Sequence, residues 1–167
     1  MAAGWRRGRT VPDMLVKLYD LPASGPEVAR LRERGVTCRR AEAYERSAVL
    51  AFARARFPAW GDEVLAGFAQ VPPTVYVATR DGAVLGFACY NATRPDYFGP
   101  TGVLEAERGR GIGRALLLQC LEALAGEGYA YAIIGGVGPA AFYEKAVGAT
   151  VIPGSEPGIY RDRLREG

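Results

Sequence analysis

The chain has 167 residues, of which 49% are hydrophobic, so it is long enough to bury one core and favours a single domain. Its net charge of +3 matches the three arginines Arg6, Arg7 and Arg9, because the other 18 basic residues balance 18 acidic ones. A near-neutral body argues against a nucleic-acid-binding protein, and no apolar run reaches the roughly 20 residues that a membrane span needs.

The first part of the chain predicts a tail and a short extension. Residues 1–13 are expected to be a disordered arm, since chain termini are often unstructured. Residues 14–35 are expected to form an N-terminal extension. Within it, residues 15–19 alternate apolar and polar side chains as a strand does, and a charged helix follows over residues 27–34. Residues 36–167 are then expected to form the main domain.

The main domain is predicted to begin with a strand over residues 36–40. Apolar residues then recur at helical spacing within residues 48–53 and again within residues 64–68, after a Pro- and Gly-containing break. Two helices are therefore expected to follow the first strand.

A hairpin is predicted next in the chain. Residues 75–78 and 84–90 are rich in β-branched and aromatic side chains, and Asp81-Gly82 between them is a strong turn signal. A further strand is expected over residues 97–104. Pro100 within it cannot donate a ladder hydrogen bond, so we expect a free side or a bulge near Pro100, where the sheet opens.

The C-terminal part contains the best-defined helix, because apolar residues recur on one face from residue 112 to residue 124. Residues 131–135 then predict a buried strand, residues 139–146 a helix with proline at its first position, and residues 149–152 another strand. A last strand is a further expectation from Tyr160 onward.

A loop before the helix at residue 112 carries the clearest chemistry. Its glycines remove the β-carbons that would hold a diphosphate away from the backbone, and the helix N-terminus points N–H groups at an anion. Its arginines add charge-assisted hydrogen bonds. The residues are Arg108, Gly109, Arg110, Gly111, Gly113 and Arg114. A glycine turn with solvated arginines is the competing interpretation, but helix N-termini favour acidic side chains and this one is rich in arginine.

Two sequence blocks resemble a known family. Residues 103–116, VLEAERGRGIGRAL, are similar to the acetyl-CoA signature of the GNAT N-acetyltransferase superfamily, whose core is Arg/Gln-x-x-Gly-x-Gly/Ala. Residues 141–149, AFYEKAVGA, resemble the helix after the family's fifth strand. The element order from residue 36 to residue 152 also follows the family. The resemblance implies an α/β fold with a mixed, mostly antiparallel sheet that splays between the fourth and fifth strands of the main domain, with helices on both faces.

The resemblance also implies a function. The chain would be an N-acetyltransferase that moves an acetyl group from acetyl-CoA to a primary amine by direct attack in a ternary complex. The pantetheine arm would insert where the sheet parts and bind the backbone of Val103 and Leu104, while the amides of residues 108–114 would hold the pyrophosphate. The cofactor residues implied are Val103, Leu104, Arg108, Gly109, Arg110, Gly111, Ile112, Gly113, Arg114 and Phe142.

Attack of an amine on a thioester expels a thiolate, so the site needs a proton donor near sulfur. By the resemblance, Tyr143 is the candidate acid; the competing interpretation is an aromatic side chain packed beside Phe142 in the core. Glu105, at the end of its strand, is the candidate general base, against the interpretation of a solvated glutamate beside the arginines. Asp96 and Tyr97 are candidates to line the acceptor cleft.

The partners are only partly defined by the sequence. The acceptor would be a small-molecule amine or a protein amine, no membrane or nucleic-acid partner is expected, and a homodimer stays open. Cys38, Cys89 and Cys120 form no CxxC pair and the chain has no histidine, so we expect a reduced, cytoplasmic protein without a metal site. The lack of histidine also excludes Ser-His-Asp and Cys-His nucleophiles.

Two other functions remain as alternatives. Gly136-x-Gly138-x-x-Ala141 after an apolar run mimics a dinucleotide-binding fingerprint and would indicate an oxidoreductase. Only about 30 residues follow it, however, and a Rossmann half needs further strand and helix units. The second alternative is a non-catalytic module that binds CoA or senses a metabolite; Tyr143 and the glycine loop favour an enzyme.

Overall fold

The computed structural model describes residues 11–164, so residues 1–10 of the predicted arm lie outside it. Seven strands form one sheet. They are β1 (Met14–Lys17), β2 (Thr37–Arg40), β3 (Val75–Arg80), β4 (Ala83–Tyr90), β5 (Tyr97–Val103), β6 (Tyr131–Ile134) and β7 (Thr150–Val151). The α-helices are α1 (Gly25–Glu33), α2 (Arg46–Arg56), α3 (Gly61–Phe68), α4 (Ile112–Gly126) and α5 (Ala140–Val147). The last strand expected from Tyr160 is wrong, because Gly158–Tyr160 forms a 3-10 turn.

The strands lie in the order β2-β3-β4-β5-β6-β1-β7. Every neighbouring pair is antiparallel except β5 and β6, which are parallel. This mixed, mostly antiparallel sheet confirms the predicted fold. A dinucleotide-binding domain needs a parallel, doubly wound sheet, so the topology excludes the oxidoreductase alternative.

Strand β1 is an internal strand of the sheet. It pairs with β6 along its whole length, from Met14 against Ile134 to Lys17 against Tyr131, and its other side pairs with β7. Met14 and Val16 are fully buried. The segment expected as an extension before the main domain therefore lies inside the same sheet. The alternation of apolar and polar side chains could indicate a strand, but it could not indicate which strands of the sheet that strand pairs with.

Helices cover both faces of the sheet and divide the core into two clusters. Helix α4 crosses β3, β4 and β5 on one face, and α1 packs beside it. Helices α2 and α3 pack on β3 and β4 and contribute Val49, Val64 and Phe68 to the second cluster. The predicted placement of helices on both faces is confirmed. No helix within residues 11–164 combines the length and the apolar character that crossing a membrane requires.

Strands β5 and β6 part after two paired residues. Only Tyr97 with Ile133 and Phe98 with Ile134 are in register. On its other side, β5 carries one extra residue between Phe98 and Thr101 relative to β4, which is a bulge at Gly99-Pro100. The bulge predicted from Pro100 is therefore confirmed, and the sheet opens immediately beyond it. The opening lies beside the free edge of β5, where β6 diverges from it.

The inclusion of β1 in the sheet predicts a loss of stability on truncating its buried face. Replacing fully buried Val16 by Ala removes two methyl groups from a packed site, so the free energy of unfolding should fall by about 2 kcal/mol. Urea denaturation measures it. Val151→Ala on neighbouring β7, where the side chain is 44% exposed, is the matched control and should change stability by less than about 0.5 kcal/mol. Equal small effects at both positions would mean that β1 contributes little to the sheet.

Candidate functional site

The glycine loop adopts a backbone that only glycine enters without strain. After the 3-10 turn Glu105–Glu107, Arg108 is extended, and φ is +73° at Gly109 and +92° at Gly111. These left-handed angles favour glycine. At Gly111 a side chain is disfavoured for a second reason, because a β-carbon there would collide with Oε1 of Glu27 and the carboxylate would have to move. Gly109 has open space around it, so its requirement is conformational only.

Helix α4 starts directly after this loop and has no side-chain cap. Gly111 is its N-cap residue, no acidic residue lies in the first turn, and no side chain of the described residues accepts a hydrogen bond from the cap. The first amides of a helix have no partner within the helix, and the helix dipole adds partial positive charge there. The start of α4 is therefore suited to bind an anion.

The three loop arginines make three different contacts. The Arg108 Nε donates to the Val103 carbonyl oxygen at 3.2 Å, while its Nη1 is buried and finds no hydrogen-bond partner among the described residues. Arg110 is mostly exposed and lies 3.5 Å from Glu107. Arg114 donates to Oε2 of Glu27 at 3.0 Å. A buried, unpaired N–H costs free energy, so Arg108 has an unmet donor beside the loop.

Glu107 anchors the turn before the loop to the sheet. Two nitrogens of Arg80, at the end of β3, donate to its carboxylate at 2.7 and 3.3 Å. These hydrogen bonds, ahead of the attraction of the nearby cationic charges, lower the pKa of the Glu107 carboxyl. The turn before the glycine loop is thus held to the end of β3 by this ion pair.

Of Val103 and Leu104, only Val103 directs its backbone groups toward the opening. The Leu104 N–H donates to Leu85 O at 2.8 Å, and the Leu104 carbonyl accepts from the Glu107 N–H at 2.9 Å. Backbone groups of consecutive residues in an antiparallel strand point to opposite sides. Because Leu104 points toward β4, the backbone N–H and C=O of Val103 point to the side where β6 has moved away.

Aromatic side chains line the opening from the α5 side. A β-carbon on Gly113 would lie 3.9 Å from Cγ2 of Val103 and 4.0 Å from Cζ of Phe142, so these three predicted residues meet. Tyr143 is 7% exposed, with its ring centroid 5.0 Å from that of Phe142 and 6.3 Å from that of Phe98. Burial raises the pKa of the Tyr143 phenol to about 12. Tyr143 is thus packed as a core aromatic beside the opening.

The other predicted polar residues are more scattered. Glu105 is exposed and makes no side-chain hydrogen bond or ion pair within residues 11–164. Burial, with a smaller effect of Glu127, raises the pKa of Asp96 to about 6, and its Oδ1 is buried without a partner among the described residues. Tyr97 lies against Gly135, where a β-carbon would be 2.9 Å from its Cδ1 and 3.6 Å from the hydroxyl of Tyr160.

Sequence reasoning missed three residues: Glu27 and Arg80, which contact the loop and the turn before it, and Tyr160, which lies near Gly135 beside Tyr97. Glu27 and Arg114 are 87 positions apart in the chain, and no periodicity or motif joins them. Arg80 and Glu107 are 27 apart and belong to elements that were predicted separately. Tyr160 was predicted only as the start of a strand.

A cavity of about 300 Å³ lies apart from the loop, at the other end of α4. It is lined by Arg40, Tyr90 and Glu127 among others, and contains none of the predicted site residues. Within residues 11–164, no group of three or more His, Cys, Asp or Glu side chains is arranged to hold a metal ion.

Comparison with known proteins places the chain among acetyltransferases. Residues 34–149 match the sequence profile of the Acetyltransferase (GNAT) family. No curated protein matches the chain. In fold, it is similar to a GCN5-related glucosamine N-acetyltransferase region of a fungal multi-domain GH3 beta-N-acetylglucosaminidase, with a TM-score of 0.70, 18% identity, and coverage of 87% of this chain and 20% of that one.

Two bacterial structures have the same fold. A GCN5-related N-acetyltransferase from Sphaerobacter thermophilus has a TM-score of 0.62 and 21% identity, covering 86% of this chain and 50% of that chain. A GNAT-family acetyltransferase from Colwellia psychrerythraea has a TM-score of 0.57 and 16% identity, covering 85% and 53%. The chain thus spans about half, or less, of the length of these solved proteins. At these identities the likeness concerns the fold.

The Gly111 geometry predicts a costly substitution. Gly111→Ala places a side chain at φ +92° and against the Glu27 carboxylate, so the free energy of unfolding should fall by about 1–3 kcal/mol. Urea denaturation measures it. Gly126→Ala at the other end of α4, where a β-carbon meets nothing within 4 Å, is the control and should be neutral or stabilising by up to about 1 kcal/mol. A Gly111→Ala variant as stable as the control would contradict this account of the loop.

Proposed function

The chain belongs to the GNAT acetyltransferase family, and from that premise we propose that it is an acetyl-CoA-dependent N-acetyltransferase acting on a primary amine. The amine would attack the thioester directly, with donor and acceptor bound together. One observation carries the proposal: an uncapped helix N-terminus behind a glycine loop lies beside a parted pair of strands. An anion site and a slot for an extended chain therefore adjoin, which matches a diphosphate joined to a pantetheine arm.

The loop would hold the diphosphate of the donor. The amides of Gly109, Gly111, Ile112 and Gly113 lie around the start of α4, where an anion is favoured. The buried Nη1 of Arg108, which has no acceptor among the described residues, would donate to the diphosphate. Arg110, mostly exposed, would add charge at the rim. Arg114 contributes less than the sequence implied, because its guanidinium already pairs with Glu27.

The pantetheine arm would lie along the free edge of β5. Val103 offers its backbone N–H on that side, whereas both backbone groups of Leu104 are hydrogen-bonded within the protein. Phe142 and the side chain of Val103 would pack against the arm, since both border Gly113. The role proposed for Leu104 is therefore to fix the end of β5 and not to bind the cofactor.

Acetyl-CoA supplies the activated acetyl group as a thioester. The amine nitrogen bonds to the carbonyl carbon, the carbon–sulfur bond breaks, and the proton lost by nitrogen balances the proton gained by sulfur. Tyr143 is the proposed donor to the departing sulfur. With a pKa of about 12, its phenol is a weaker acid than a thiol, whose pKa is about 8.5. Tyr143 would therefore stabilise the developing charge on sulfur chiefly by a hydrogen bond.

The direct test is binding and turnover by the purified chain. Acetyl-CoA or CoA at saturating concentration should raise the melting temperature, because a ligand that binds only the native state stabilises it. Release of CoA should then be screened against amino acids, polyamines, peptide N-termini and glucosamine, the amine named for the fungal region of similar fold. No stabilisation by either ligand would refute the proposal. Stabilisation without turnover on any amine would favour the non-catalytic CoA-binding alternative.

Replacing Tyr143 by Phe removes the hydroxyl and keeps the packed ring. The rate constant kcat should fall about 10- to 100-fold, which is at or below the lower limit for a general acid because the hydroxyl would act chiefly by a hydrogen bond, while the Kd for CoA stays within about twofold. Tyr129→Phe, at an exposed tyrosine remote from the loop, is the control for loss of a hydroxyl. A Tyr143→Phe variant with the wild-type kcat would remove Tyr143 from the mechanism and leave the binding proposal intact.

Glu105 is proposed as the general base, and the same assay examines it. Its exposed carboxylate can receive a proton from the amine and pass it to water. Glu105→Gln should lower kcat, because an amide cannot accept the proton of the amine. An unchanged kcat would rule out Glu105 as the base.

A further inference from the structure

A buried carboxylate from α1 lies against the loop proposed to bind the diphosphate. Glu27 is 7% exposed, and its Oε1 occupies the space that a β-carbon of Gly111 would need. Its Oε2 accepts from Arg114 at 3.0 Å, and Arg30 donates to the carboxylate at 3.3 Å. A negative charge is therefore built into the wall of a site that has to accept another negative charge.

The position of Glu27 is held by more than its own ion pairs. Ser24, which precedes α1, donates through both its backbone N–H and its hydroxyl to Glu122 of α4, each at 2.6 Å. Leu31 of α1 is buried in the cluster formed with α4. Helix α1 is thus docked on α4 at two points apart from Glu27. The carboxylate lies next to Gly111 because the helix carries it there.

We propose that Glu27 sets the affinity for CoA, weakening the binding of its diphosphate so that the product leaves rapidly. This inference rests on the function proposed above. Glu27 neutralises Arg114 and repels a diphosphate held by the neighbouring amides. Product release limits the rate of many enzymes, and a carboxylate beside the anion site shortens the residence of both donor and product.

The charge of Glu27, and not its packing, is the feature that carries this role. Glutamine has the same shape and can still accept hydrogen bonds from Arg114 and Arg30. Glu27→Gln should therefore bind CoA about three- to tenfold more tightly, a modest gain because Arg30 and Arg114 already offset most of the Glu27 charge. The difference should shrink only in part in high salt, because ions screen a buried charge less than an exposed one.

The experiment compares charge-matched pairs of variants on α1. Glu27→Gln is paired with Glu33→Gln, whose side chain is exposed on the same helix. Arg30→Gln is paired with Arg32→Gln, since Arg30 contacts Glu27 and is exposed enough to be replaced without unfolding the protein. Calorimetry at low and high salt would give the Kd for CoA. Steady-state kinetics would give KM for acetyl-CoA, kcat and the inhibition constant for product CoA.

The substitutions of Glu27 and Arg30 are expected to change the Kd for CoA in opposite directions. Glu27→Gln should lower the Kd for CoA, the KM for acetyl-CoA and the inhibition constant, with kcat unchanged or reduced. Arg30→Gln, which leaves Glu27 less neutralised, should raise the Kd about two- to fivefold. Both controls should bind CoA as the wild type does. The Arg30 pair remains informative if Glu27→Gln does not fold.

Four results would overturn the inference. Weaker CoA binding by Glu27→Gln in proportion to a loss of stability would mean a purely structural role. Equal effects of Arg30→Gln and Arg32→Gln would mean that only the overall charge of α1 matters. Absence of CoA binding by the wild-type protein would refute the proposed function as well, whereas wild-type binding with no difference among the variants would refute only the role of Glu27.

Discussion

The parting of β5 from β6 after Phe98 is the constraint on which the rest of the site depends. A strand inside a sheet normally has partners on both sides, and an unpaired backbone edge must find others. Here a bulge at Gly99-Pro100 interrupts the pairing of β5, and beyond it Val103 directs its backbone N–H toward the opening, while its carbonyl oxygen accepts from Arg108. The next elements, the Glu105–Glu107 turn and the glycine loop, add a second set of unpaired amides at the start of α4. Backbone groups without partners are thus found at two adjoining places, the free edge of β5 and the start of α4.

Features set by neighbouring residues could be predicted from the sequence. Asp81 and Gly82 adopt positive φ at the predicted turn, α4 begins at Ile112 where the apolar periodicity begins, and Pro100 marks the bulge. The pairing of β1 between β6 and β7 could not be predicted, because alternation within four residues is compatible with any partner. The glycine loop could be recognised because its glycines and arginines are neighbours in the sequence. The Glu27 carboxylate beside it was not, since nothing local links α1 to Gly111.

The arginines illustrate the same limit in electrostatic terms. Counting charge in the loop predicted an anion site, but each cation has its own environment: Arg108 is tied to Val103 O with one nitrogen unpaired, Arg110 is solvated, and Arg114 is neutralised. The net field of the loop is therefore weaker than its composition suggests. Tyr143 shows a related trade-off, because the burial that positions its ring also raises its pKa and weakens it as an acid.

The place of β1 in the sheet has a consequence for how the protein acquires its structure. Met14 pairs with Ile134, so a segment synthesised before α1 must wait for a strand that is synthesised after α4. Such pairings raise the contact order, and loop-closure entropy must be overcome before they stabilise the chain. Strand β6, the far wall of the opening, joins β5 through only two residues and depends on β1 for the rest of its pairing. The opening beside β5 is therefore completed late in folding, when β1 pairs with β6.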